Sequence, residues 1–163
     1  MEFASLIAEF GAHYGMDCLA PDENGAVGFE ADGRLLAFQL LDEPDTVLAS
    51  IELGSAPSAG AEKVNELLMR ANQALFSLDG MALVIHPGNN RYRLLSRIDV
   101  AALDFAGFDE KIARILDRAE QWGAFLEGFA PLVAEAAGTG EASAYLPETA
   151  DPAGLSPVDL LRV

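Results

Sequence analysis

The sequence predicts an α+β domain, an antiparallel sheet with helices mainly on one face, in the order α-β-β-β-α-β-β-α. Three observations carry this. Segments of period-two apolar alternation are interleaved with segments of helical spacing. Asp32-Gly33 sits between two alternating runs, a two-residue hairpin signal, because a type I′ turn needs positive φ at both central residues. A long 4-3 apolar stripe, Phe108, Ile112, Ile115, Ala119, Trp122, Leu126, Phe129 and Val133, closes the pattern as one helix laid across a sheet.

Residues 2–14 read as an amphipathic helix with Phe3, Leu6, Ile7, Phe10 and Tyr14 on one face and Gly15 as its stop. Glu2 suits the helix dipole. The stripe is core, or part of it, Phe3 and Phe10 especially, stays open for a ligand. Pro21–Gly25 is a turn-rich loop. A meander follows: 26–31 with Val27 and Phe29 in phase, 34–41 with Leu36, Phe38 and Leu40, and 46–53 with Val47, Ala49, Ile51 and Leu53. The opposite face of these strands is mixed: Leu35, Leu48, Ser50 and Glu52.

Residues 54–60 (GSAPSAG) read as a flexible link into the central helix, where Val64, Leu67, Leu68, Ala71 and Leu75 share a face. A second apolar row, Met69 and Phe76 with Asn72 beside them, lies off it. A helix apolar on two sides has two things to pack against: its own sheet and a second copy of the chain. Ser77–Gly80 breaks this helix, 81–86 is an apolar strand, Pro87–Asn90 a turn, and 92–98 the fifth strand. The last helix spans 105–133. Asp104 or Asp109 caps it, and Pro131 can kink it. The domain ends at residue 136. Residues 137–155 lose periodicity and read as a linker. Ser156-Pro157 is a helix-start signal before a short apolar end, Val158, Leu160, Leu161 and Val163. That end is too short to fold alone and is expected to dock in an apolar groove.

A chain of 163 residues suffices for one domain and buries roughly 70% of its unfolded surface. The net charge of −16 argues against nucleic acid and against insertion at an anionic membrane surface. No apolar run spans a bilayer, no signal peptide is visible, and a cytoplasmic protein is expected. One cysteine, Cys18, excludes an internal disulfide and a cysteine zinc cluster. Charge is unevenly spread: residues 1–60 hold only Arg34 against eleven acids, while five of the ten basic residues lie in 61–100. The basic set either complements acid across a dimer or forms a solvated strand face.

The run Leu67-Leu68, Ala71-Asn72, Gly80 and an apolar strand closing on Pro87 resembles the middle of the class I type III secretion chaperones of the Tir-chaperone type. These are small acidic dimers that hold effectors before export. The Ala-Glu-Gln-Trp run at 119–122 is similar to the acidic-aromatic run in that family's last helix. The resemblance covers roughly residues 1–130. It implies the fold of that family, a homodimer, and an effector as partner, bound in extended form without ATP and kept ready for export. It implies an effector-binding surface on the first helix and first strands: Phe3, Phe10, Val27, Phe29 and Leu35. It implies a dimer interface on the central helix and fourth strand: Leu68, Met69, Asn72, Phe76 and Leu83.

No enzyme is expected. His13 and His86 lack a nucleophile or carboxylate at motif spacing. Asp17 beside Cys18 disfavours a thiolate. The acids of 22–23 and 42–45 lack the calcium-loop pattern. No phosphate-binding glycine motif occurs. No cofactor and no metal site is therefore read from the sequence. Asn72 is either an interface residue that fixes register or an exposed helix residue. Two other readings share the frame: a small-molecule sensor, which needs a closed cavity with convergent polar groups, and an adaptor dimer outside secretion.

Overall fold

A computed structural model describes residues 2–16, 18–43 and 45–139. The elements follow the expected order: α1 Phe3–His13, β1 Ala26–Ala31, β2 Arg34–Leu40, β3 Thr46–Ser55, α2 Ala61–Asp79, β4 Met81–Ile85, β5 Arg91–Asp99 and α3 Phe105–Thr139. The strands form one five-stranded antiparallel sheet in the order β1-β2-β3-β5-β4, so β1 and β4 are its edges. The chain divides into two compact units, one made of residues 1–52 and 94–119, the other of residues 53–93 and 120 onward.

The first unit is built on the β1–β2 hairpin. Asp32 and Gly33 have φ of 51° and 73°, the two positive values of a type I′ turn. That turn sets the register Phe29↔Leu36 and Val27↔Phe38, which β2 continues into β3 as Leu36↔Ile51 and Phe38↔Ala49. Alternation then places Leu36, Phe38, Val47, Ala49 and Ile51 in the core. Phe3, Leu6, Ile7 and Phe10 of α1 and Phe108, Ile112 and Ile115 of α3 are buried with them. The loop before β1 is an Asx turn. The Asp22 carboxylate accepts the N–H groups of Asn24 at 2.9 Å and Ala26 at 2.8 Å. At the start of α3, Asp104 accepts the Gly107 N–H at 2.9 Å, so it is the cap. Asp109 is engaged elsewhere.

In the second unit α2 lies between two glycines in the left-handed region, Gly60 at φ 72° and Gly80 at φ 66°. The helix continues through Ser77–Asp79, which the sequence reading assigned to a break. Ser77 closes its hydroxyl onto the Gln73 carbonyl at 2.8 Å and is accommodated inside the last turn, leaving Gly80 alone as the stop. Val64, Leu68, Ala71 and Leu75 are buried, and Asn65 accepts the Tyr92 hydroxyl of β5 at 2.8 Å. The second half of α3 buries Trp122, Leu126 and Val133. It runs past Val133 to Thr139 with Pro131 inside it. A proline there loses its own N–H bond and crowds the carbonyl four residues back, a local cost that the helix on both sides outweighs. The segment 54–60 is less of a free link than expected: Gly54 and Ser55 extend β3, and Gly60 starts α2. The apolar end at 156–163 and its expected docking lie outside the described residues.

Two predictions follow from local geometry. A Cβ on Gly60 would stand 2.5 Å from Val133 Cγ1 and 3.0 Å from the Val133 carbonyl, at a φ that L-residues avoid. Gly60→Ala should cost about 2–4 kcal/mol in a denaturant titration, the sum of left-handed strain and overpacking. The N–H groups of Ala26 and Asn24 hold the Asp22 carboxyl below its ordinary value of 3.8. A depressed folded value means the turn's stabilisation is present above the unfolded value and lost as pH falls through the folded one. The Ala26 and Asn24 amides should therefore lose exchange protection only below the ordinary aspartate range, and Asp22→Ala should expose both at neutral pH.

Candidate functional site

The hairpin turn decides which backbone groups β1 shows to solvent. In a two-residue hairpin the flanking residues, Ala31 and Arg34, exchange hydrogen bonds, and the pattern repeats every second residue. Leu40 N–H to Gly25 O at 2.9 Å lies on the same alternation. Residues 27, 29 and 31 therefore bond to β2, and residues 26, 28 and 30 point outward. Ala26 is taken by the Asp22 loop, its N–H by the carboxylate and its carbonyl by the Asp22 N–H at 2.7 Å. The outward N–H and C=O groups of Gly28 and Glu30 meet no partner among the described residues. An edge strand in this state is ready to pair with another strand.

Beside that edge runs a groove of about 440 Å³. Its apolar lining is Phe10, Tyr14 and Met16 at the end of α1, Phe29 and Ala31 of β1, and Ile112, Ala113 and Leu116 of α3; Glu30, Asp32 and Asp109 stand around it. Phe10 is only 4% exposed and still forms part of the wall, its ring 5.5 Å from Phe29 and 5.9 Å, edge-on, from Phe108. Tyr14 donates its hydroxyl to Asp109 at 2.8 Å. That bond to a carboxylate, with some desolvation and the carboxylate's charge, pushes the phenol's pKa up.

A second cleft of the same unit, about 600 Å³, is acid-lined. Phe3, Leu40, Leu41 and Val100 are surrounded by Glu2, Asp22, Glu23, Asp42, Glu43 and Asp45. Glu43 is paired with Arg97 of β5.

The residues expected to bind a partner are thus divided. Phe29 and Phe10 line the groove, and Phe3 lines the acid-lined cleft from a buried position, 5% exposed. Val27 is half-buried on the helix-bearing side, and Leu35 is 54% exposed on β2. Tyr14, Met16, Ile112 and Leu116 were not identified as site residues from sequence. Tyr14 and Ile112 read there as ordinary core positions, and Asp109, 95 residues from its partner Tyr14, read only as a cap.

The residues expected at a dimer interface divide as well. Met69 and Phe76, one row of α2, are 75% and 68% exposed. Leu68 and Leu83 are buried. Asn72 turns its carboxamide onto the β4 backbone, donating from Nδ2 to the Leu83 carbonyl at 2.9 Å and accepting the Leu83 N–H on Oδ1 at 2.7 Å. It is half-buried rather than an exposed helix residue.

The histidines have local roles. His13 packs edge-on against Tyr14 and near Phe105, and His86 Nδ1 accepts the Gly88 N–H at 3.2 Å. Cys18 is exposed. Among the described residues no group of three or more His, Cys, Asp or Glu side chains could hold a metal ion, and no helix is long and apolar enough to cross a membrane.

Solved structures similar in fold include the ExsC–ExsE complex, with TM-score 0.68 and 24% identity over 77% of this chain and 97% of that one. The HopA1–SchA chaperone–effector complex gives 0.63 and 16%, over 74% and 91%. The Yersinia pestis type III secretion chaperone SycH, in complex with a stable fragment of YscM2, gives 0.56 and 17%, over 73% and 98%. No curated protein sequence matches the chain significantly. The Tir chaperone protein (CesT) family model matches residues 5–123, so the element order, the groove beside β1 and the exposed row on α2 are those of a chain that belongs to that family.

Proposed function

We propose that this protein is a cytoplasmic chaperone of type III secretion. It binds an extended segment of an effector, without enzymatic chemistry of its own, and keeps it competent for export. The observation that carries the reading is the groove beside an unpaired sheet edge. Gly28 and Glu30 offer two N–H and two C=O groups in line, and the apolar wall of Phe10, Phe29, Ile112 and Leu116 stands next to them. An extended chain can satisfy the first while placing alternate side chains against the second. Glu30, Asp32 and Asp109 favour basic residues at the segment's rim. Family membership supports it, and among proteins of this fold the HopA1–SchA structure is a chaperone with its effector. The acid-lined cleft, with Phe3 and Leu40, is a second surface of the same unit that the segment can reach, and Val27 and Leu35 lie on β1 and β2.

The working form is a homodimer. Met69 and Phe76 lie seven residues apart on α2, two helical turns on one face, and a large apolar side chain left in water asks for cover. Leu68 and Leu83 support that face from the core.

Each half has its own measurement. Ala113 is exposed on α3 at the groove, so Ala113→Trp fills the groove without entering the core. The wild type should shield the N-terminal region of the exported protein encoded beside it from protease, and Ala113→Trp should lose that shielding at least about tenfold in affinity, the loss of one well-buried anchor. Equal shielding by both places the site elsewhere. Met69→Asp with Phe76→Asp should convert a dimer to monomers in sedimentation at micromolar concentration, since burying two carboxylates in an apolar contact is unfavourable. A wild-type monomer there removes the dimer.

A further inference from the structure

We propose that Asn72 is the residue that makes the two sheet edges unequal: its carboxamide closes the β4 edge to strand addition and leaves β1 as the edge that receives a strand. Only the nature of the strand received at β1 rests on the proposed function; the closure of β4 stands apart from it.

β4 is the other edge of the sheet. Just past its end, His86 N–H donates to Arg91 O at 2.8 Å, which fixes the alternation. Residues 82 and 84 bond toward β5, and residues 81, 83 and 85 point outward. Leu83 is the middle of the three. Its N–H and C=O are both taken by Asn72, at 2.7 and 2.9 Å. A carboxamide carries one acceptor and donors on one planar group, as a peptide unit does, and it reproduces what one residue of an added strand would supply. Aspartate lacks the donor and leucine lacks both. The turn at Gly80, with φ of 66°, reverses the chain so that α2 runs back along β4 and brings Asn72, eleven residues before Leu83, over the strand's centre. An incoming strand on β4 would have to break both bonds. On β1 the corresponding groups of Gly28 and Glu30 have no partner to displace among the described residues.

The arrangement also constrains a second copy of the chain. A continuous sheet through two β4 strands would need the Leu83 groups that Asn72 holds. Association through α2 proceeds instead by side chains, with Met69 and Phe76 exposed on that helix.

The test uses the full-length protein, its Asn72→Leu variant and a short model strand: a peptide of alternating valine and threonine with terminal lysines and a nitroxide label. Backbone NMR reads both hydrogen exchange and quenching by the label. In the wild type the Leu83 amide should exchange at least about tenfold more slowly than those of Gly28 and Glu30, the protection of one retained hydrogen bond. The label should quench Gly28 and Glu30 and spare Leu83. In Asn72→Leu the Leu83 amide should exchange about tenfold faster than in the wild type, and the label should now quench it. Wild-type exchange at Leu83 as fast as at Gly28 overturns the closure without any variant, which covers the case in which Asn72→Leu fails to fold. Quenching of Leu83 in the wild type overturns it too, as does a folded Asn72→Leu with a fast Leu83 amide that the label still spares. Quenching of Leu83 in Asn72→Leu with none at Gly28 or Glu30 in either protein upholds the closure and removes β1 as the receiving edge of the proposed function.

Discussion

Phe10 is where the packing of the first unit and the surface it presents depend on one side chain. Its ring lies 5.5 Å from Phe29, 5.9 Å from Phe108 and 4.7 Å from Tyr14. Phe38 continues the cluster, 6.0 Å from Phe29 and 6.1 Å from Phe108. These separations and tilts are those at which aromatic pairs attract beyond the area they bury. These rings pack α1 and α3 against the hydrogen-bonded β1–β2 pair. The groove beside β1 exists because the cluster stops at Phe10 and Phe29, whose outer edges then become its wall. Tyr14, one turn beyond Phe10, adds a phenol that Asp109 fixes in place. A core that tapers into a groove in this way makes a rigid surface, which lowers the ordering cost on the protein's side when a flexible segment binds.

Most of the fold was legible in local chemistry, and particular residues show why. Asp32-Gly33 demanded a type I′ turn, and that turn fixed the register and hence the core side of β1 and β2. The 4-3 stripe of α3 named the buried residues almost one for one, because a helix across a sheet can bury only one face. What was not legible came from partners distant in sequence. Ser77 looked like a helix break, yet a hydroxyl can bond back to the preceding turn. Asn72, read as an interface residue or an exposed helix residue, gave no local sign of its hydrogen bonds. Its partner is the backbone of Leu83. The groove is the clearest case: Phe10 and Phe29 were singled out for binding, but Tyr14, Ile112 and Leu116 complete it only once α3 is in place.

Both units are acidic, the first more so: it carries sixteen carboxylates against five basic side chains, and the second ten against five, of which residues 53–93 hold three acids and four bases. The exposed row of α2 lies in the second unit, and the grooves and the unpaired β1 edge in the first. Self-repulsion between acidic surfaces opposes association there. The segment 53–93, which carries Met69 and Phe76, is close to charge balance. Two exposed apolar surfaces on one small protein would otherwise invite open-ended assembly, since either could meet the other on a neighbouring molecule. The excess of acid around the groove favours a basic partner there over a second acidic copy.

The edge strands carry the same logic into the backbone. Side-chain charge is screened within about 8 Å at physiological salt, so it steers an approaching chain but cannot by itself block a close contact. Backbone pairing acts at hydrogen-bond distance and is indifferent to sequence, which makes an open edge the least selective sticky surface a protein has. At β1 the opening is short, two residues between the Asp22 loop and the Asp32-Gly33 turn, and it is flanked by Glu30, Asp32 and a shaped apolar wall. A strand that pairs there must also satisfy that wall. At β4 a single carboxamide occupies the centre of the edge. The two edges thus differ in kind: the open backbone groups of β1 stand beside an apolar wall, and the central groups of β4 are already held by a side chain.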